Sequence, residues 1–116
     1  MSNSKARYNG KIGWCDKSDL PFKADTGHYV YIRKYNKRTG KCVVSTCTSL
    51  ESKGKIKFNK VSALKSGNVY PIPYNDSNFK VWTGINRTRH IVDLNKIKDI
   101  GTRSFKRRHH FIINKK

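Results

Sequence analysis

Acidic residues are scarce in this chain: 116 residues carry 7 Asp and Glu against 26 Lys and Arg, a formal charge of +19. Two-metal phosphoryl chemistry needs clustered carboxylates to hold its cations, and so few acids provide poorly for one. No P-loop, HExxH helix, GxSxG elbow or carboxylate pair is present, so nucleotide hydrolysis, zinc proteolysis and glycoside cleavage have no support. The sequence therefore asks for no metal and no cofactor. Cysteine is sparse too: Cys15, Cys42 and Cys47 cannot all pair, and no CxxC spacing occurs among them. Free, buried thiols in a reducing compartment are the expectation, with Cys42 and Cys47 on opposite faces of one strand because their separation is odd. Long apolar runs are missing, as are a basic amphipathic helix and an apolar stretch within the polar residues 1–9. A soluble cytoplasmic protein with no membrane partner is expected.

What the chain does have is positive charge in both halves, and a compact domain this cationic repels itself until a polyanion relieves it. Nucleic acid is the first partner that this implies. At 35% hydrophobic and 11% aromatic residues, the composition is too rich for a disordered basic tail. One domain is expected over residues 10–103, with a flexible basic N-terminus at 1–9 and a basic, then apolar, C-terminal segment at 104–116.

Short β-rich runs separated by turn residues dominate, which predicts a mainly β fold, a small barrel or sandwich with one or two short helices. Residues 11–15 read as a strand and 16–27 as a loop. Residues 28–33 and 41–47 are dense in β-branched and aromatic side chains around a turn at 36–40, which predicts a hairpin over 29–47. Alternation over 55–58 puts Lys55 and Lys57 on one face and Ile56 and Phe58 on the other. Pro71 and Pro73 restrict 69–74 to an edge strand or an extended segment. Residues 75–78 form a turn cluster, 79–82 and 87–92 are further strand candidates, and Asp93 is placed to cap a helix over 94–100 that Gly101 stops.

The order of motifs carries more than any one of them. Gly10, Ile12, Trp14 and Asp16 open the domain, Gly27 and His28 introduce the next strand, and residues 35–40 lead into 42–48. Over residues 10–58 this succession resembles the MazF/PemK family of toxin endoribonucleases. The resemblance implies an SH3-like barrel, commonly a homodimer, that cuts single-stranded RNA without a metal and is countered by an acidic antitoxin protein. It also implies that the RNA 2′-hydroxyl is the nucleophile, with a cation after the Gly-His step and a Thr at the strand end. Thr48 occupies the Thr position. Tyr29 and Val30 replace the family's Arg-Pro, so His28 is the candidate for proton transfer, and Arg33 or Lys53 for the missing charge.

Other residues are weighed on composition. The aromatics Trp14, Tyr29, Tyr31, Tyr70, Tyr74, Phe79 and Trp82 are interleaved with cations, as on surfaces that stack unpaired bases, with Tyr29 and Trp82 the preferred contacts. Lys53, Lys55, Lys57, Arg87, Arg89, Lys106, Arg107 and Arg108 are the candidate phosphate contacts, beside Arg33. Two alternatives stay open: a non-catalytic basic β-barrel, such as a mobile-element or phage-encoded inhibitor of a host nucleoprotein, and an adaptor for an acidic protein.

Overall fold

A computed structural model describes residues 8–115, so most of the expected N-terminal tail lies outside the described residues. β1 (Ile12–Cys15), β2 (His28–Asn36) and β3 (Lys41–Ser49) are consecutive antiparallel neighbours. The β2–β3 hairpin forms where β-branched and aromatic side chains are densest. Asn36 accepts the Arg38 and Thr39 amides at 2.9 and 3.4 Å, and Gly40 at φ +73° supplies the left-handed turn residue.

An insertion follows. It comprises a two-residue hairpin of β4 (Glu51–Ser52) and β5 (Lys55–Ile56), then α1 (Phe58–Ser66), β6 (Val69–Ile72) and β7 (Thr83–Asn86). β8 (His90–Asp93), β9 (Lys98–Arg103) and α2 (Arg108–Lys115) complete the chain. The long strand β3 is shared along its free edge: Lys41 to Val44 pair with β8, and Cys47 to Ser49 pair with β7. The sheet runs β6-β7-β3-β2-β1-β9, with β8 beside β3. The fold is mainly β, as expected, and β6 is the edge strand that its proline demanded.

The sheet is curled but not closed. β8 and β9 flank opposite sides of β3-β2-β1, about 19 Å apart if the strands lay flat. Only the 3-10 turn Leu94–Lys96 and Ile97 connect them, a reach of about 13 Å. The strands must therefore roll toward each other, although no ladder joins β8 to β9 among the described residues. Inside the roll lie Cys15, Val30, Ile32, Cys42, Val44, Val92 and Ile97. On the outer face Ile12, Tyr31 and Cys47 are covered by Ile72, Ile85, Phe105 and Ile113, and each such aliphatic burial contributes about 2 kcal/mol. All three cysteines are free and buried, and Cys42 and Cys47 fall in different clusters, on opposite faces of β3.

Four local expectations fail for identifiable reasons. Asp93 caps no helix, because its carboxylate accepts from Lys41 Nζ at 2.8 Å; one 3-10 turn follows, and 98–103 become β9 instead of the end of a helix. Residues 79–82 are loop: Glu51 Oε1 accepts the Trp82 amide at 2.8 Å, and the strand begins at Thr83. The strand expected over 87–92 starts at His90. The alternation at 55–58 does not bury its apolar half, since Phe58 opens α1 with 94% exposure. That helix ends at Gly67, φ +81°, where the Asn68 amide donates to Ala63 at 3.0 Å.

Candidate nucleic-acid interface

One buried carboxylate latches the start of α2 to the segment after β6. Asp76, 4% exposed, accepts from Arg108 Nη2 and lies 3.4 Å from Lys106 Nζ. His109, 7% exposed, bridges it to β6, with Nε2 at 2.8 Å from Asp76 Oδ2 and Nδ1 at 2.8 Å from the Tyr70 hydroxyl. The bonds from Arg108 and His109 hold the Asp76 carboxyl down to about 2, well below its ordinary range. His109 and Ile113, one helical turn apart, thus form the buried side of α2.

The opposite spacing, Arg107, His110 and Asn114, lines a cleft of about 480 Å³. Lys11 from the start of β1, Arg33 from β2 and Arg103 from the end of β9 complete its cationic lining, with Tyr31, Asn9 and Ser104 between them. None of the chain's 7 acids lines it. Four of those acids are paired with cations elsewhere: Asp16 with Lys98, Asp19 with Lys96, Asp93 with Lys41, and Asp76 in the latch.

Arg33 is the most constrained of these cations. Its Nε donates to Ser45 Oγ at 2.6 Å and its Nη1 to the Ile113 carbonyl at 2.8 Å, both neutral acceptors. Burial lowers its pKa first and the charge of Arg89 second, so both costs fall on a cation that no carboxylate offsets. Beside it the Tyr31 hydroxyl and His110 Nδ1 share a 2.9 Å hydrogen bond, and Asn114 Nδ2 donates to the Tyr31 oxygen at 3.1 Å. Burial pushes the Tyr31 phenol up and the His110 imidazole down, with the neighbouring His109 adding to the latter. The depressed imidazole is neutral at neutral pH, and in the tautomer that accepts the Tyr31 hydroxyl at Nδ1 its donor is Nε2–H. Gly10, at φ +85°, lies against that ring, and a Cβ there would stand 3.1 Å from Nδ1.

A second pocket, of about 290 Å³, adjoins the same arginine. Leu64, Val69, Tyr70, Ile85, Ile112 and Ile113 make its walls, and Arg87 joins Arg33 in lining it.

Of the residues singled out in the sequence, Arg33 and Arg107 meet in the cleft, and Arg87 reaches the second pocket. Arg89 is exposed near Arg33. Lys106 and Arg108 are engaged by Asp76 instead of lining the cleft. Lys53 and Lys55 stand on the β4–β5 hairpin and Lys57 just before α1, and none of them lines either cavity. Tyr29 packs edge-on to Trp14 and Phe79 at 4.9 and 5.3 Å, with the Arg103 guanidinium 5.6 Å from its ring centre, so its face is already covered. Trp82 is half-buried in the loop before β7.

His28 lies against the end of β3, its Nδ1 3.3 Å from the Cys47 carbonyl, one residue before Thr48, although the β2–β3 ladder itself runs no further than Val30 with Thr46. Arg33 cannot supply the charge expected of it there: it emerges on the outer face of β2 with Ser45 and Ile113, whereas His28 shares the inner face with Val30 and Ile32. Lys11, Arg103 and Asn114 were not read as site residues, Tyr31 was weighed only among the aromatics, and His110 only as the end of a basic run. They are dispersed over four segments, and no local pattern joins them.

No family model matches the chain, and no curated protein is found to be similar to it.

Proposed function

We propose that this chain is a nucleic-acid-binding domain that grips a phosphodiester backbone in the cleft between β1, β2, β9 and α2. The observation that carries the reading is the acid-free lining around Arg33, a half-buried guanidinium whose hydrogen bonds go only to neutral groups. A bound phosphate would supply the counter-ion and accept from the donors of Lys11, Arg103, Arg107 and His110 at once. Binding of this kind releases condensed counter-ions, so it must weaken steeply with salt. Fluorescence anisotropy with a labelled oligonucleotide tests it. Arg33→Gln and Arg107→Gln should each weaken binding and cut the slope of log K against log salt by about one. Lys53→Gln should change the slope less. Absence of binding by the intact chain in dilute salt overturns the reading.

One observation favours a second reading, a metal-independent ribonuclease of the MazF/PemK kind: the His28 imidazole lies 3.3 Å from the Cys47 carbonyl, one residue before Thr48. His28 would take the proton from the RNA 2′-hydroxyl as its oxygen attacks phosphorus, giving a cyclic phosphate and releasing the 5′-oxygen. Single-stranded RNA incubated with the protein in EDTA should then be cut, and His28→Ala should protect it. Equal RNA survival with and without the wild-type chain removes this reading and leaves the first intact.

A further inference from the structure

We infer that the apolar pocket behind Arg33 seats one unpaired nucleobase of a strand whose phosphate lies in the cleft, so that the domain selects single-stranded over duplex nucleic acid. The inference rests on the backbone-binding reading and gives that site its ligand class. Arg33 is the shared wall: it lines both cavities, and its bonds to Ser45 and the Ile113 carbonyl fix its guanidinium as a planar partition. On one side of that partition the lining is cationic and hydrogen-bonding, which suits phosphate. On the other it is made by Leu64, Val69, Ile85 and Ile112, which suits the face of a base.

A nucleotide has this same division, an anionic end and a flat, largely apolar one. At about 290 Å³ the pocket is close to the lower bound for small-molecule sites, roughly 300 Å³, which leaves room for one base and not for a base pair. A duplex keeps its bases paired and stacked, so it can offer the cleft its phosphates but nothing to the pocket. A single strand offers both. Burying a base beside an arginine plane adds affinity that depends little on sequence.

The test compares three ligands of equal length at one salt concentration: an intact single strand, an abasic single strand and a duplex. The full chain should bind the intact strand about tenfold more tightly than the abasic one, and more tightly than the duplex. Ile112 lies at the exposed rim of the pocket, 44% accessible, so Ile112→Ser should abolish the preference and leave abasic affinity and thermal stability unchanged. Ser66→Trp, which fills the pocket from an exposed position, should do the same. Equal affinity for intact and abasic strands overturns the pocket assignment while the backbone reading stands. Binding to none of the three overturns the backbone reading itself. Displacement of the intact strand by a free mononucleotide as effectively as by another strand would give the pocket to a small ligand, and would contradict the proposal.

Discussion

The two faces of β2 carry different chemistry. The inner face presents Val30 and Ile32 to an apolar cluster that includes Cys15 and Cys42, and it ends in His28 against the Cys47 carbonyl. The outer face presents Tyr31 and Arg33 to a cleft where four Lys and Arg side chains meet no acid. A charge of +19 would suggest a uniformly basic surface. The placement of the acids makes it uneven: Asp16, Asp19 and Asp93 neutralise lysines around the β8–β9 connection, and Asp76 is spent on anchoring α2. Where a basic protein keeps its few carboxylates decides where its excess charge can act.

The sharpest way to separate the two faces is to remove the latch. Asp76→Asn leaves Arg108 and His109 without their shared anion, so α2 should detach and take Arg107, His110 and Asn114 out of the cleft. The melting temperature should fall by about 10 °C, and oligonucleotide affinity should fall with it. Hydrogen exchange in the β2–β3 hairpin should stay slow; if that hairpin opened together with α2, the two faces would be one cooperative unit. Acid should reproduce the effect. Asp76 titrates at about 2 in the folded chain, below its unfolded value, so its contribution is complete above about pH 4 and is lost as pH falls toward 2.

A smaller effect concerns His110. Burial depresses its pKa, so folding favours the neutral ring: this stability is present above the unfolded value, near 6.5, and is lost as pH falls through the folded one. A phosphate in the cleft opposes that depression, whereas Arg107, His109 and the Tyr31 hydroxyl face the ring whether or not the cleft is filled. Oligonucleotide affinity should therefore rise a few-fold as pH drops below about 6.5, and His110→Gln should flatten the profile. A profile unchanged by that substitution would place the bound phosphate away from the ring.

The smallest effect is on the inner face. Burial raises Cys15 and Cys42 to about 11, Cys15 helped by Asp19 and Asp16, and pushes Cys47 up as well. Thiol reagents at pH 8 should modify all three only at the rate of unfolding, whether or not oligonucleotide is bound. Protection of one thiol by oligonucleotide alone would show that the inner face responds to the ligand.

The hairpin of β2 and β3, the edge strand β6 and the opposed cysteines were legible because strand propensity, proline and a two-residue period act locally. α1 was not, because it has no apolar stripe: Phe58 and Val61 are exposed, and Gly67 is its main signal. α2 was hidden by its own charge, since among the described residues its only buried spacing is His109 to Ile113, inside a run of basic residues. Asp76 read as a turn residue, and nothing near it in sequence announces Arg108 and His109. The cleft was illegible for the same reason, because Lys11, Arg33, Arg103 and Arg107 become neighbours only when β9 returns to β1 and α2 crosses the sheet.

Titration of isotopically labelled protein with a single-stranded oligonucleotide in dilute salt, followed by NMR, tests the central claim most directly. Shifts should concentrate on Lys11, Arg33, Arg103, Arg107 and His110, with Lys53, Lys55 and Lys57 nearly unmoved. Shifts gathered on the β4–β5 hairpin, or spread evenly over every lysine and arginine, would contradict the assignment of the backbone to the cleft.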